Sequence, residues 1–106
     1  MDTEAYRLRI MPRAVVDLDN IYGYIAGELS APKAARELME KIESSFMRLR
    51  TMPASCPECQ DDILRQKGYR KLVVNNYIAL YMVSHPEKTV TVMRVVHGRR
   101  EYSAFV

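Results

Sequence analysis

Tyr69-Arg70-Lys71-Leu72-Val73-Val74-Asn75-Asn76-Tyr77-Ile78-Ala79-Leu80-Tyr81-Met82-Val83-Ser84 is the stretch on which the fold turns. It reads as two strands around a tight turn. Residues 69–74 form the first. Asn75-Asn76 is the turn, since asparagine tolerates the left-handed backbone that a two-residue hairpin requires. From Tyr77 to Ser84 the chain is nearly all apolar, as a strand covered on both faces must be. His85-Pro86-Glu87-Lys88 makes the next turn. Residues 89–96 follow, rich in β-branched side chains and carrying a single charge, Arg94. Strands joined by turns this short are antiparallel.

Upstream of the hairpin the period changes. Residues 5–11 alternate, with Tyr6, Leu8 and Ile10 on one face and Arg7 and Arg9 on the other, which predicts a half-buried strand. Pro12 ends that ladder and suits the first turn of a helix. Leu18, Ile21, Ile25 and Leu29 then recur at steps of three and four. Asp17 and Asp19 stand early in this helix, where the dipole favours negative charge. Gly23 inside it costs about 1 kcal/mol relative to alanine, and is read as a close contact with a neighbouring helix. Ser30 is the expected cap of a second helix, with Pro32 near its first position. Ala35, Leu38, Ile42, Phe46 and Leu49 carry its apolar stripe, and Glu37 and Lys41 form a supporting pair four apart. Residues 52–62, with Pro53, Cys56, Pro57 and Cys59, show no period and read as loop. The order is β-α-α-β-β-β: an α+β fold, with a helical hairpin packed on a small, mainly antiparallel sheet.

At 106 residues the chain is too short for two cores, so residues 1–106 form one domain. The longest apolar run, seven residues from Tyr77 to Val83, falls far short of the ~20 that a membrane helix needs. The alternating N-terminal stretch has no signal-peptide core, and two cysteines make no disulfide framework, so the expected compartment is the cytoplasm. The net charge of +3 hides an asymmetry. Residues 1–62 hold eight basic and eleven acidic side chains, net −3, whereas residues 63–106 hold eight and two, net +6. Arginine outnumbers lysine eleven to five, and its planar fork suits phosphates and carboxylates. The basic half therefore points to an anionic partner.

Few residues carry chemistry. Cys56-Pro57-Glu58-Cys59 has the spacing of half a zinc site, but only His85 and His97 remain to complete it and their spacing is wrong. The expectation is no metal, no cofactor and two loop cysteines. His97 ends the last strand beside Arg99 and Arg100, where an imidazole can move protons or bond a phosphate. Arg70, Lys71, Arg94, Arg99 and Arg100 are the candidate target-binding cations, on the expectation that adjacent strands bring them to one face. Tyr69, Tyr77, Tyr81 and Tyr102 interleave with them, a combination that serves both phosphate contact with base stacking and protein hot spots. Nuclease chemistry would use Lys71, Arg99 and Arg100 around the phosphate and His97 or Tyr102 on the proton. With no paired carboxylates for two metals, it would proceed through the 2′-hydroxyl of RNA.

Taken together, Met11-Pro12-Arg13-Ala14 with Asp17-Leu18, Met52-Pro53, Cys56-Pro57, the 68–81 stretch and Val95-Val96-His97-Gly98-Arg99-Arg100-Glu101-Tyr102 resemble the RelE/ParE superfamily of toxins from bacterial type II toxin–antitoxin modules. The resemblance spans essentially the whole chain, and the order of elements is the family's. Met11 stands where the family often has a Ser or Thr cap, which weakens the helix start by about 1 kcal/mol. The resemblance implies a cognate antitoxin, docking on the first helix at Leu18, Ile21, Tyr22 and Ile25 or over the basic sheet face. Operator DNA would be bound only through the antitoxin complex. It also implies one of two targets. RelE-like members cleave mRNA on the ribosome, and a RelE-like reading makes His97, Arg100 and Tyr102 catalytic. ParE-like members bind DNA gyrase and cleave no RNA. Ile78 follows Tyr77 where the ribonucleases typically carry arginine, and their late C-terminal tyrosine is missing from Ala104-Phe105-Val106. Both departures favour the ParE-like reading.

Overall fold

The computed structural model describes residues 5–98. Four strands form one sheet in the order β1-β4-β3-β2: β1 (Arg7–Ile10), β2 (Arg70–Val74), β3 (Tyr77–Ser84) and β4 (Thr89–His97). β2, β3 and β4 run antiparallel, as their short turns require, while β1 lies parallel to β4 with Arg7 opposite Thr89 and Ile10 opposite Val92. Asn75 takes the left-handed conformation (φ 54°) in the β2–β3 turn, and Lys88 (φ 51°) does so before β4. Arg7 and Arg9 are exposed and Leu8 and Ile10 half-buried, the alternation expected of an edge strand.

Two helices cover one face. α1 (Pro12–Gly23) starts with proline at its first turn and Met11 at the cap position, with no side-chain hydrogen bond there. A methionine has nothing to offer the free amides. Leu18, Ile21 and Ile25 pack onto the core, but Leu29, the last residue of the sequence stripe, is 54% exposed. The reason is a π-helical turn, Tyr24–Glu28, in which the Leu29 amide donates to the Tyr24 carbonyl five residues back. The wider turn breaks the 3.6-residue phase. Gly23 makes no close helix contact; a Cβ there would meet nothing within 4 Å. Nor does Ser30 cap the next helix. It is left-handed (φ 52°), and Ala31 occupies the cap position without a side-chain bond. α2 (Pro32–Leu49) then follows its stripe faithfully, burying Ala35, Leu38, Ile42, Phe46 and Leu49. Each of the larger four contributes about 1.5–3 kcal/mol. Lys41 reaches outward to the turn and donates to Asn75 Oδ1 at 2.9 Å.

The other face of the sheet is covered by residues 59–69. A five-residue helix that the sequence did not reveal, α3 (Asp62–Gln66), begins where the expected 52–62 loop ends, and it is capped by Asp61, whose Oδ1 accepts from the Ile63 and Leu64 amides. Cys59, Leu64 and Tyr69 close over Ile78, Leu80 and Val96, so β3 is covered on both sides as its apolar run predicts. Cys56 packs instead against the helix-side cluster, so the two cysteines serve different cores, and both are free thiols. Burial pushes the Cys59 thiol up, which makes it an unreactive packing residue.

The register of β3 on β4 breaks between Leu80 and Tyr81. Leu80 faces Arg94 while Tyr81 faces Val92, leaving Met93 as the extra residue of a β-bulge. In an unbroken pleat Val92 and Val95, three apart, would point to opposite faces. Here both join the helix-side core and Met93 joins the other. Among the described residues no helix is long and apolar enough to cross a membrane.

Candidate functional site

Arg94, the first residue past the bulge, is tied to α1. Its Nε donates to Asp17 Oδ2 at 2.7 Å and its Nη2 to Oδ1 at 2.9 Å, and the Val95 amide adds a third bond to Oδ2 at 2.9 Å. The two side chains are only 11% and 12% exposed. The hydrogen bonds to Asp17 hold the guanidinium above its ordinary range, against the opposing effect of burial. A bidentate arrangement of this kind fixes geometry as well as charge. Arg94 is thus a structural tie between β4 and α1, not an outward cation.

Above this tie opens a cleft of about 880 Å³. Asn20, Ile21, Tyr24 and Leu29 form its helical wall, and Asn76, Tyr77, Val95, Val96 and His97 its sheet wall. Tyr77 and His97 are register partners on β3 and β4, and their rings meet edge to face at 5.4 Å and 79°. Burial, and secondarily the Tyr24 phenol, pushes the Tyr77 hydroxyl above its ordinary value, so it remains a neutral donor at physiological pH. Tyr24 is 52% exposed. A smaller recess of about 250 Å³, lined by Val73, Asn75, Ile78 and Gly98, shares Asn76 and His97 with the main cleft. Gly98 closes the strand end by donating to the Asn76 carbonyl at 2.8 Å, and a Cβ there would approach that oxygen to 3.3 Å.

The other expected site residues disperse. Arg70 stands opposite Tyr81 of the helix-side core and donates through Nη1 to the Cys56 carbonyl at 2.6 Å. Its neighbour Lys71 stands opposite Leu80 of the second core, where its charge bears on Cys59. Adjacent strand residues point to opposite faces. Arg70 and Lys71 therefore point to opposite faces and Arg94 is held by Asp17, so the three do not gather on one face as the sequence led us to expect. Arg99, Arg100 and Tyr102 lie outside the described residues. Of the four residues expected to meet an antitoxin, Leu18 and Ile25 face the core, Tyr22 is 38% exposed on the outer side, and only Ile21 lines the cleft. His85, exposed in the β3–β4 turn, bonds at Nδ1 with the Tyr6 hydroxyl at 2.7 Å, away from the cleft.

Sequence reasoning missed Asn20, Tyr24 and Asn76 as cleft residues, and named Tyr77 only as one of four tyrosines interleaved with the cations. Tyr77 was within reach: a two-residue hairpin with its register carried onto the next strand puts a residue of the β3 start against the end of β4. Among the described residues no group of three or more His, Cys, Asp or Glu side chains is placed to hold a metal ion.

The family model described as the ParE toxin of the type II toxin–antitoxin system, parDE, matches residues 8–102. No curated protein matches the sequence. Among solved structures, the chromosomal ParDE system of P. aeruginosa superposes with a TM-score of 0.71 at 20% identity, over 88% of this chain and 96% of that one. The RelBE2 toxin–antitoxin complex of Mycobacterium tuberculosis gives 0.61 at 20% identity, over 91% and 94%. A free mutant of the E. coli toxin RelE gives 0.63 at 16% identity, over 95% and 92%. At these identities the structures share the fold with this chain, and they include both branches of the superfamily.

Proposed function

The chain belongs to the ParE toxin family of type II toxin–antitoxin systems, and from that premise we propose that it arrests growth by binding DNA gyrase as a protein ligand, and that a cognate antitoxin neutralises it. One observation carries this choice of target. A phosphodiester cleft needs cations aimed at the charge that develops on the phosphorane. Among the described residues lining this cleft the only permanent cation is Arg94, and its guanidinium is tied to Asp17. The remaining walls are aromatic, aliphatic and amide, the composition of a protein-binding hot spot. Ile78, where an arginine would serve a ribonuclease, packs in the second core.

The antitoxin reading rests on family membership and on the structural neighbours, several of which are toxin–antitoxin complexes. Its docking surface, first assigned to Leu18, Ile21, Tyr22 and Ile25, shifts toward Asn20, Ile21, Tyr24 and Leu29, the α1-side residues that line the cleft.

His97 beside Tyr77 favours a second reading, a RelE-like endonuclease in which His97 moves a proton and Arg100 and Tyr102 complete the site. Lys71, on the face away from α1, does not contribute to that arrangement. Induction without antitoxin separates the two targets. The gyrase reading expects DNA-damage signalling and loss of supercoiling by purified gyrase, with translated mRNA intact. New cuts in translated mRNA, with gyrase unaffected at large excess of toxin, would replace it with the endonuclease reading.

A further inference from the structure

The helical wall of the cleft is built unlike the rest of the core. After Ala14 no residue of α1 or of the π-helical turn is fully buried. Gly23 and Gly27 lie in this wall, neither has a positive φ, and a Cβ on either would meet nothing within 4 Å. Alanine fits both positions, so no steric or conformational need accounts for glycine. Its consequence is energetic, since glycine leaves a helical segment more freedom to unfold than alanine does. The backbone bonds that end the wall are irregular: Leu29 to Tyr24, Ser30 to Gly27 and Ala31 to Ile25. Just before the wall, Asp17 is held by three hydrogen bonds to β4. A firmly anchored helix thus runs into a stretch with no fully buried residue, held to the core by the half-buried Ile21 and Ile25, with two glycines and a π-helical turn, the features of a low-stability opening unit.

We propose that residues 20–29 form a jaw, hinged after the Asp17 anchor, which swings off the sheet while the rest of the fold stays intact and so sets the width of the cleft. In the closed form Tyr24 and Leu29 stand over Tyr77 and His97. In the open form the cleft floor at Val95 becomes accessible. The jaw does not depend on which target or partner uses the cleft.

Hydrogen exchange on the full chain tests it. The amides of Leu29, Ser30 and Ala31 exchange well ahead of those of Ile42 and Phe46, while the Val95 amide, bonded to the anchor, stays protected. In the Gly23→Ala/Gly27→Ala variant the same three amides slow by roughly five- to thirty-fold, the effect of two glycine-to-alanine changes in a helix. A Val95→Cys thiol, placed in a Cys56→Ser background, then reports on the cleft itself. Cys59 is buried and silent. Labelling by a chromogenic aromatic disulfide slows by the same factor when the two alanines are added. Amides 29–31 as slow as those of α2, or unchanged by the alanines, would overturn the jaw. Slower exchange without slower labelling would overturn its control of the cleft. Should Val95→Cys not fold, the exchange measurements alone decide.

Discussion

The two long helices of this small fold differ in what they bury. α2 sinks six residues into the core, Ser45 among them, and its outer face is charged. α1 buries only Ala14, and it exposes Val15, Val16 and Tyr22, with Tyr24 just beyond its end. Both sequences carry apolar residues at steps of three and four. One helix uses that stripe to make the core, whereas the other buries one residue fully and sets Asn20 and Ile21, with Tyr24 and Leu29 beyond its end, along a cleft. The same periodicity therefore identifies a helix without saying whether it supports the fold or the site. An exposed apolar patch beside a cleft is the feature that separates the two.

The difference is broken most severely from the α2 side. Phe46→Ala removes a 2%-exposed ring from the main cluster. The expected loss is about 3–5 kcal/mol, a large part of the stability of a domain this size. Chemical denaturation reads it as a fall in midpoint. A loss below ~1 kcal/mol would mean that α2 is not the principal support.

Next comes the tie between α1 and the sheet. Asp17→Ala leaves Arg94 in a nearly closed site without its carboxylate and takes the acceptor from the Val95 amide. Removing one partner of a buried pair is costly because the other charge stays behind, so the expected loss is about 3 kcal/mol. Asp17→Ala/Arg94→Met removes the stranded charge and recovers part of that loss. Double-mutant denaturation measures the recovery, and strict additivity would show that the pair does not act as a unit.

A smaller effect tests how the sheet is closed on its loop side. The Tyr81 hydroxyl donates to the Pro53 carbonyl at 3.0 Å, and burial, with the Cys56 thiol second, holds its proton well above the ordinary phenol value. Tyr69 and Tyr77 shift in the same direction, mainly through burial. A phenol raised on folding supports stability below the unfolded value of about 10, and that support is lost as pH rises beyond it. Thermal melts should therefore fall on the alkaline side. Tyr81→Phe costs about 1 kcal/mol at neutral pH and makes the alkaline fall shallower. A variant with an unaltered alkaline slope would remove Tyr81 from that role.

Much of this architecture is legible in the residues. The seven apolar positions from Tyr77 to Val83 require cover on both faces, and Asn75 in the left-handed region marks the hairpin. The α2 stripe is buried at every expected position. What escapes notice are local departures that leave the composition unchanged. A run of valines reads the same with or without a bulge, yet the bulge puts both Val92 and Val95 in the helix-side core, and Arg94 between them reads as an outward cation although Asp17 holds it. Leu29 keeps helical spacing although the π-helical turn moves it out of phase. α3 is too short to show a period, though Asp61 before Ile63 and Leu64 is a cap signal. In the site, His97 stands out by type alone, whereas Tyr77 gains its role only from register with His97, and Tyr24 only from the end of α1.

The smallest expected effect on the fold falls on the cleft rim, where the contrast between the helices is sharpest. Tyr24→Ala removes a half-exposed ring with no place in the buried core, so stability should change by less than about 0.5 kcal/mol. The same ring overhangs Tyr77 and His97 from the helical wall, where an aromatic anchor at a protein interface is worth about 2 kcal/mol or more. Binding of the antitoxin encoded with this chain, measured by titration calorimetry, should accordingly weaken more than tenfold. Met47→Ala serves as the control: it is equally exposed, but on α2 and outside the cleft, and should leave both stability and binding nearly unchanged. If Met47→Ala and Tyr24→Ala weaken binding alike, the partner grips both helices, and the division between a helix for the core and a helix for the site is lost.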